Sequence, residues 1–181
     1  MDKNKELIKI AGEIESCGIC KIGKSGLAVP GEGDSKARIM FIGEAPGKTE
    51  AKTGRPFVGR SGKLLRQMIS DVGLKENEVY ITSPVKYLPD RGTPTVPDIE
   101  HGKTHLFKQI EVIDPKIIVL LGSVGSYAML GEKIQVLKRH GEILEKDGRK
   151  FLITLHPSAV LRFPNKYKEL FMNDLKRLKV L

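Results

Sequence analysis

Two loops that are far apart in the sequence carry the side chains best suited to acid–base or electrostatic chemistry. The first, residues 43–47, reads Gly-Glu-Ala-Pro-Gly and contains Glu44, and the second begins at His156. Each loop directly follows a continuous apolar run, which predicts a parallel strand covered on both faces. Because ligands of open parallel sheets bind at the carboxyl ends of the strands, the Glu44 carboxylate and the His156 imidazole could meet in one pocket.

These loops must be positioned by the strands and helices that alternate along the chain. The predicted strands lie at residues 38–42, 79–82 and 117–121, followed by a hairpin at 142–155. Helical spacing of apolar residues predicts helices between the strands and a closing helix from about residue 165. We therefore predict a single α/β domain over residues 1–181, a three-layer α/β/α sandwich with a central, mainly parallel four-stranded sheet.

The composition of the chain indicates which class of molecule the protein binds. The chain has 181 residues, 31 of them basic and 22 acidic, which gives a formal net charge of +9. Basic side chains cluster around the two loops and predict a rim that binds nucleic acid. No apolar run approaches the roughly 20 residues of a membrane span, and the first residues lack the apolar segment of a signal peptide. We expect a cytoplasmic, nucleoid-associated monomer with no membrane partner.

Six ordered segments resemble those of the family 4 uracil-DNA glycosylases. They are residues 43–47, 54–59, 79–82, 91–95, 117–122 and 156–158, and the resemblance extends from about Cys17 to the C-terminus. It implies a monofunctional DNA glycosylase that hydrolyses the N-glycosidic bond of a flipped, deaminated base in DNA, with water as the nucleophile. Such an enzyme starts base-excision repair and needs a snug pocket for the extruded base.

The resemblance also implies roles for individual residues. Glu44 and His156 are the predicted catalytic residues: Glu44 would position the water or stabilise the cationic sugar, and His156 would donate to the base O2. The alternative for Glu44 is a structural role, as a cap of the next helix or a partner of Arg55. The predicted substrate-binding residues are Ala45, Pro46, Gly47, Phe57, which would stack on the base, and Ser83.

A second set of residues is predicted to contact DNA. Val160 and Leu161 occupy the positions of the loop that enters the minor groove in the family, although they could equally begin a helix. The complete predicted DNA-binding set is Arg55, Arg60, Lys63, Ser158, Val160, Leu161 and Arg162.

One departure from the family concerns a cofactor. Family 4 enzymes hold a [4Fe–4S] cluster with four cysteines, and the first two have the spacing of Cys17 and Cys20. The other two would fall near Tyr87 and Gly102. Two thiolates do not make the usual site. We therefore expect no cofactor, with Cys17 and Cys20 as remnants that are free or joined in a disulfide.

Alternatively, Cys17 and Cys20 could still take part in a metal site. His101 and His105 lie close to one of the lost positions and are spaced four residues apart, which puts both on one helix face. Together with Cys17 and Cys20 they could hold zinc or an iron–sulfur cluster.

A second departure concerns base selection. Family 4 enzymes carry an asparagine just after the second strand, where its amide reads the uracil edge, and this chain has Ser83. A hydroxyl can donate or accept but enforces neither role. The substitution predicts broader selection, including hypoxanthine or xanthine, or else a catalytically weak or inactive protein that only recognises damage. A hydrolase of free nucleotides is disfavoured, since the sequence has no phosphate-binding Gly-x-x-x-x-Gly-Lys-Ser/Thr loop.

Overall fold

The structure is a computed structural model that describes residues 2–181, apart from the side chain of Glu76. Its strands are β1 (Lys24–Ser25), β2 (Glu32–Gly33), β3 (Ile39–Ile42), β4 (Val79–Thr82), β5 (Leu88–Pro89), β6 (Ile117–Leu121), β7 (Ile143–Lys146) and β8 (Arg149–Thr154).

Helices follow most of the strands. They are α1 (Lys3–Ser16), α2 (Gly18–Lys21), α3 (Lys48–Thr53), α4 (Arg60–Asp71), α5 (Val96–Ile113), α6 (Gly122–Leu130), α7 (Val136–Arg139), α8 (Pro157–Arg162) and α9 (Pro164–Lys176), with short 3-10 helices at Glu76–Glu78 and Arg177–Lys179. No helix within residues 2–181 is both long and apolar enough to cross a bilayer.

The main sheet has six strands in the order β2-β4-β3-β6-β8-β7. Its four central strands, β4, β3, β6 and β8, are parallel, as predicted. The structure extends the predicted four-stranded sheet at both edges with the antiparallel strands β2 and β7. A separate pair, β1 and β5, is antiparallel.

Both faces of the sheet are covered, which explains the continuous apolar runs of its strands. Alternate residues of β3 point to opposite faces: Phe41 packs with Leu65 and Phe171 of α4 and α9, whereas Met40 packs with Leu106 of α5. Ile39, Met40, Phe41 and Ile42 are all fully buried. The layers are therefore helix, sheet and helix, which confirms the predicted α/β/α class.

The strand order places one end of the sheet in position to bind a ligand. The chain passes from β3 to β4 on one side and later returns to β6 on the other side of β3. A parallel sheet opens a crevice where its strand order reverses in this way, at the carboxyl ends of the strands. Residue 44 follows β3, residue 83 follows β4 and residue 156 follows β8, so all three lie at that end.

Candidate active site

A cavity of about 220 Å³ lies at the carboxyl ends of the central strands. The sequence-predicted residues that line it are Glu44, Ala45, Pro46, Gly47, Phe57, Ser83, His156 and Ser158. The structure thus brings the two distant loops together around one space. The volume is below the roughly 300–1,000 Å³ of pockets for drug-sized ligands, so a small planar group is the size of ligand that it suits.

Glu44 contributes a carboxyl group to this cavity. Its side chain is largely removed from solvent, and that burial raises the pKa of its carboxyl group. The structure does not use Glu44 as a helix cap, because Gly47 occupies the N-cap position of α3. Arg55, its other predicted structural partner, makes a two-pronged ion pair with Glu32, with Nε–Oε2 and Nη2–Oε1 distances of 2.7 and 2.9 Å.

His156 is held in a defined orientation by the start of α8. Its Nδ1 accepts a hydrogen bond from the Ser158 backbone N–H at 3.2 Å and lies 2.7 Å from the Ser158 hydroxyl oxygen. Burial lowers the pKa of His156 to about 4, so the ring is neutral near pH 7. With Nδ1 accepting, the single ring proton resides on Nε2, which makes Nε2 a hydrogen-bond donor.

Phe57 lies beside His156, with ring centroids 6.0 Å apart. Its side chain is only 9% exposed and packs partly into the core while lining the cavity. The backbone at Phe57 is in the left-handed region, with φ of 51°. A non-glycine residue there costs about 1–3 kcal/mol, so the surrounding structure must hold it in place.

Two side chains that the sequence analysis missed hold the Phe57 loop. The Glu50 carboxylate accepts hydrogen bonds from the backbone N–H groups of Val58 and Gly59, at 2.8 and 2.6 Å. The Arg66 guanidinium donates to the carbonyl oxygen of Phe57 at 2.9 Å. The only sequence signal for Arg66 was its basic charge, which suggested a DNA contact rather than this internal role.

Gly43 fits closely beneath the aromatic ring. A Cβ atom added at Gly43 would lie 2.5 Å from Phe57 Cζ and 3.1 Å from Ser83 Oγ. The first distance is shorter than any ordinary contact, so a larger residue at position 43 would displace the ring. The glycine of the first loop therefore lets the aromatic ring and the serine hydroxyl approach the same point.

Ser83 is buried at the end of β4, above a polar network inside the protein. The Lys86 ammonium donates to the Pro30 carbonyl, the Thr82 hydroxyl and the Gln109 side-chain oxygen, at 3.0, 2.7 and 2.8 Å. Burial lowers the pKa of Lys86 to about 7. No local pattern in the sequence distinguishes this lysine from an exposed one.

The predicted DNA-binding residues divide into exposed and internal ones. Arg60, Lys63, Ser158 and Arg162 are exposed, and Leu161 is partly exposed. Val160 is 0% exposed and belongs to the core cluster, so the prediction that it enters the minor groove is wrong for this conformation. The helical alternative explains the burial: α8 begins at Pro157 and turns Val160 inward.

Residues 30–178 match the family model of the uracil-DNA glycosylase superfamily. The chain belongs to that superfamily. It is 36% identical over 185 residues to a Type-4 uracil-DNA glycosylase of Thermotoga maritima, covering 99% of this chain and 96% of that protein. A Type-4 uracil-DNA glycosylase of Sulfurisphaera tokodaii is 40% identical, with 97% and 84% covered. A DNA polymerase of Bacillus phage SP01 is 38% identical over 82% of this chain and 16% of that protein.

This superfamily member gathers a second group of polar side chains away from the cavity. Cys17, Cys20, His101 and His105 each offer a donor atom, and these four atoms lie within 4.8 Å of one another. Both cysteines are free, so the predicted disulfide alternative is not formed in this structure. The residues of the metal alternative are thus close together, at the junction of α1, α2 and α5.

Proposed function

We propose that the protein is a monofunctional DNA glycosylase that removes deaminated bases, uracil first, at the start of base-excision repair. The observation that carries the proposal is the shared cavity of Glu44, Phe57 and His156, three groups that base excision requires. The Type-4 uracil-DNA glycosylases that the chain resembles over nearly its full length support the same reaction.

The two polar side chains suit opposite ends of the bond that breaks. Hydrolysis makes the sugar cationic as the bonding electron pair moves onto the base. Water then adds to the sugar carbon, and the proton that it releases balances the negative charge of the departing base. A poorly solvated Glu44 carboxylate would stabilise the cation and orient the water. The neutral His156 would donate its Nε2 proton in a hydrogen bond to the base oxygen, where negative charge accumulates. Charge stabilisation of this kind is usually the largest contribution to catalysis.

Base recognition would combine stacking with main-chain contacts. The Phe57 ring would offer a stacking face, and Ala45 and Gly47, which line the cavity, would donate backbone N–H groups to the base. Pro46 has no N–H and restricts the loop that presents them. None of these contacts distinguishes uracil from another base with a similar edge.

Selection among bases would then depend on Ser83. An asparagine amide offers a fixed donor and a fixed acceptor and so rejects a base whose edge is reversed, whereas a hydroxyl adapts to either. We propose that this enzyme accepts hypoxanthine or xanthine as well as uracil. Excision rates on oligonucleotides that carry one of the three lesions test this, and strict activity on uracil would contradict it.

DNA binding would rest on the exposed residues around the cavity. Arg60, Lys63 and Arg162 can contact phosphates, and Leu161 can fill the space that the base leaves. We propose that residues 1–181 act as one monomeric unit at the nucleoid, where this substrate is found. The excision step itself uses water and the protein's own side chains.

A strand-cleavage assay separates this proposal from its rival, a protein that binds damaged DNA without turnover. An oligonucleotide with one uracil is incubated with the protein and then with alkali, which breaks the strand at an abasic site. We expect cleavage with the wild type and a strong loss with Glu44→Ala and with His156→Ala. Equal, negligible cleavage by all three proteins, with binding retained, would establish the rival.

A further inference from the structure

The four residues near α1, α2 and α5 have the arrangement of ligands to one metal ion. Cys17 is the N-cap of the four-residue helix α2 and Cys20 lies within that helix, while His101 and His105 lie one turn apart on α5. All four donor atoms fall within 4.8 Å of one another, and Cys17 Sγ is 3.2 Å from His101 Nε2. Segments about 80 residues apart in the sequence thus present two thiols and two imidazoles to one point.

His105 supplies an independent observation. Its side chain is 7% exposed, and neither ring nitrogen has a hydrogen-bond partner among the residues that the structure describes. Buried polar atoms in native proteins are nearly always satisfied, so an imidazole with two unsatisfied nitrogens calls for a ligand. Its neighbours in the group are metal-binding side chains, which identifies the class of that ligand.

The size and chemistry of the group suit zinc. A tetrahedral zinc ion binds sulfur at about 2.3 Å and imidazole nitrogen at about 2.0–2.1 Å, which places the donor atoms roughly 3.3–3.8 Å apart. The observed spread of up to 4.8 Å requires only small side-chain movements to reach this geometry. Two sulfur and two nitrogen donors in a tetrahedron are a common zinc set.

The iron–sulfur cluster implied by the family does not fit this chain. A cysteine at position 102 would place its Cβ atom 2.1 Å from the carbonyl oxygen of Pro84, because α5 packs directly on that segment. Position 87 holds a buried tyrosine whose hydroxyl donates to the Ile14 carbonyl at 3.3 Å. Positions 87 and 102 therefore leave no room for the two missing thiolates, and the two histidines of α5 offer imidazole nitrogens instead.

We propose that Cys17, Cys20, His101 and His105 bind one structural Zn²⁺ ion in place of an iron–sulfur cluster. Four protein ligands close the coordination shell, as in structural rather than catalytic zinc sites. The ion would join the α1–α2 junction to α5. Helix α5 in turn packs through Gly102 on Pro84, the residue after Ser83, so the site would support that wall of the base pocket.

Metal analysis of the untagged, full-length protein tests the proposal without reference to activity. We expect one equivalent of zinc per chain, with neither iron nor acid-labile sulfide. The chelated wild-type protein, titrated with Co²⁺, should show the thiolate charge-transfer and strong visible bands of tetrahedral S₂N₂ coordination. Stoichiometric iron with sulfide, another metal in place of zinc, or a Co²⁺ spectrum without these bands would overturn the proposal.

Variants assign the ligands. Cys20→Ser and His105→Ala should each abolish stoichiometric zinc, whereas His156→Ala, a matched histidine variant outside the group, should retain it. If the ligand variants do not fold, the Co²⁺ titration of the wild-type protein still tests the coordination. Zinc retained in both ligand variants would overturn the assignment. A protein with zinc but no glycosylase activity would refute only the proposed function, and the reverse result only the zinc site.

Discussion

The base pocket and the Cys/His group at α1, α2 and α5 both bring together polar side chains from distant parts of the chain, but they enclose different amounts of space. In the pocket, Glu44 and His156 border a cavity of about 220 Å³. In the Cys/His group, four donor atoms lie within 4.8 Å. The space among the polar groups therefore indicates the ligand, a base in one region and a single ion in the other.

The two regions also differ in what holds them. The pocket is built from loops at strand ends and includes the left-handed backbone of Phe57, which Glu50 and Arg66 stabilise. The Cys/His group is built on helices that pack directly on one another. Loops can present side chains to a substrate, whereas packed helices favour a permanently closed site.

Replacement of either Glu44 or His156 in the pocket should have the largest effect. We expect Glu44→Gln and His156→Gln each to lower the single-turnover excision rate by about 10²–10³-fold, since each removes an interaction with charge that develops in the transition state. Glu145→Gln, on an exposed edge strand, is the matched control and should leave the rate unchanged. A less than tenfold loss of rate in both pocket variants would contradict the electrostatic role of Glu44 and His156.

Loss of the aromatic surface should have the next largest effect. Phe57→Ala removes a stacking contact that is typically about 1–3 kcal/mol per base, so kcat/KM should fall roughly 10- to 100-fold. Phe107→Ala, at a partly exposed position on α5, serves as the control. If Phe57→Ala retains the kcat/KM of the wild type, as Phe107→Ala should, then Phe57 does not stack on the base.

A change at Ser83 should sharpen base selection rather than abolish activity. Ser83→Asn supplies a fixed donor and acceptor, and we expect the ratio of uracil to hypoxanthine excision to rise by about tenfold, equivalent to about 1.4 kcal/mol. Parallel excision assays on the two lesions measure the ratio. An unchanged ratio would show that another group reads the base edge.

The pH dependence should report Glu44 rather than His156. Burial raises the pKa of Glu44, and the ionised form is the active one, so kcat/KM should fall with decreasing pH, starting above the ordinary glutamate pKa of about 4.3. His156, with its pKa lowered to about 4, stays neutral over this range and should give no inflection around 6.5. Glu44→Gln should lose the acid limb, and an inflection around 6.5 that survives in this variant would contradict the assignment.

The smallest effect is expected at the rim of the pocket. Arg162→Ala should weaken binding to all DNA sequences alike and reduce the slope of log affinity against log salt by about 1, because one phosphate contact is lost. Lys146→Ala, an exposed basic residue on β7, is the control. Binding isotherms at several salt concentrations measure the affinity and its salt dependence for each variant. Equal slopes for the two variants would show that Arg162 does not contact DNA.

The layered fold and the end of the sheet that carries the candidate site could be predicted from the order of residues alone. The apolar runs at Ile39–Ile42 and Ile117–Leu121 record burial on both faces, so the parallel core could be predicted from them. The positions of Glu44 and His156 then followed, because each comes directly after a strand. Local patterns of this kind depend only on neighbours in the chain.

Which polar groups meet, and which apolar side chains are exposed, depends on contacts between distant parts of the chain. Arg55 pairs with Glu32, a contact that the sequence did not predict, while Val160 was expected in the groove and packs in the core. The grouping of Cys17 with His105 likewise depends on how α1 and α5 pack. The physical reason is that ion pairing and ligation act over a few ångströms through space, and residues distant in the chain reach that range only when the whole fold has formed.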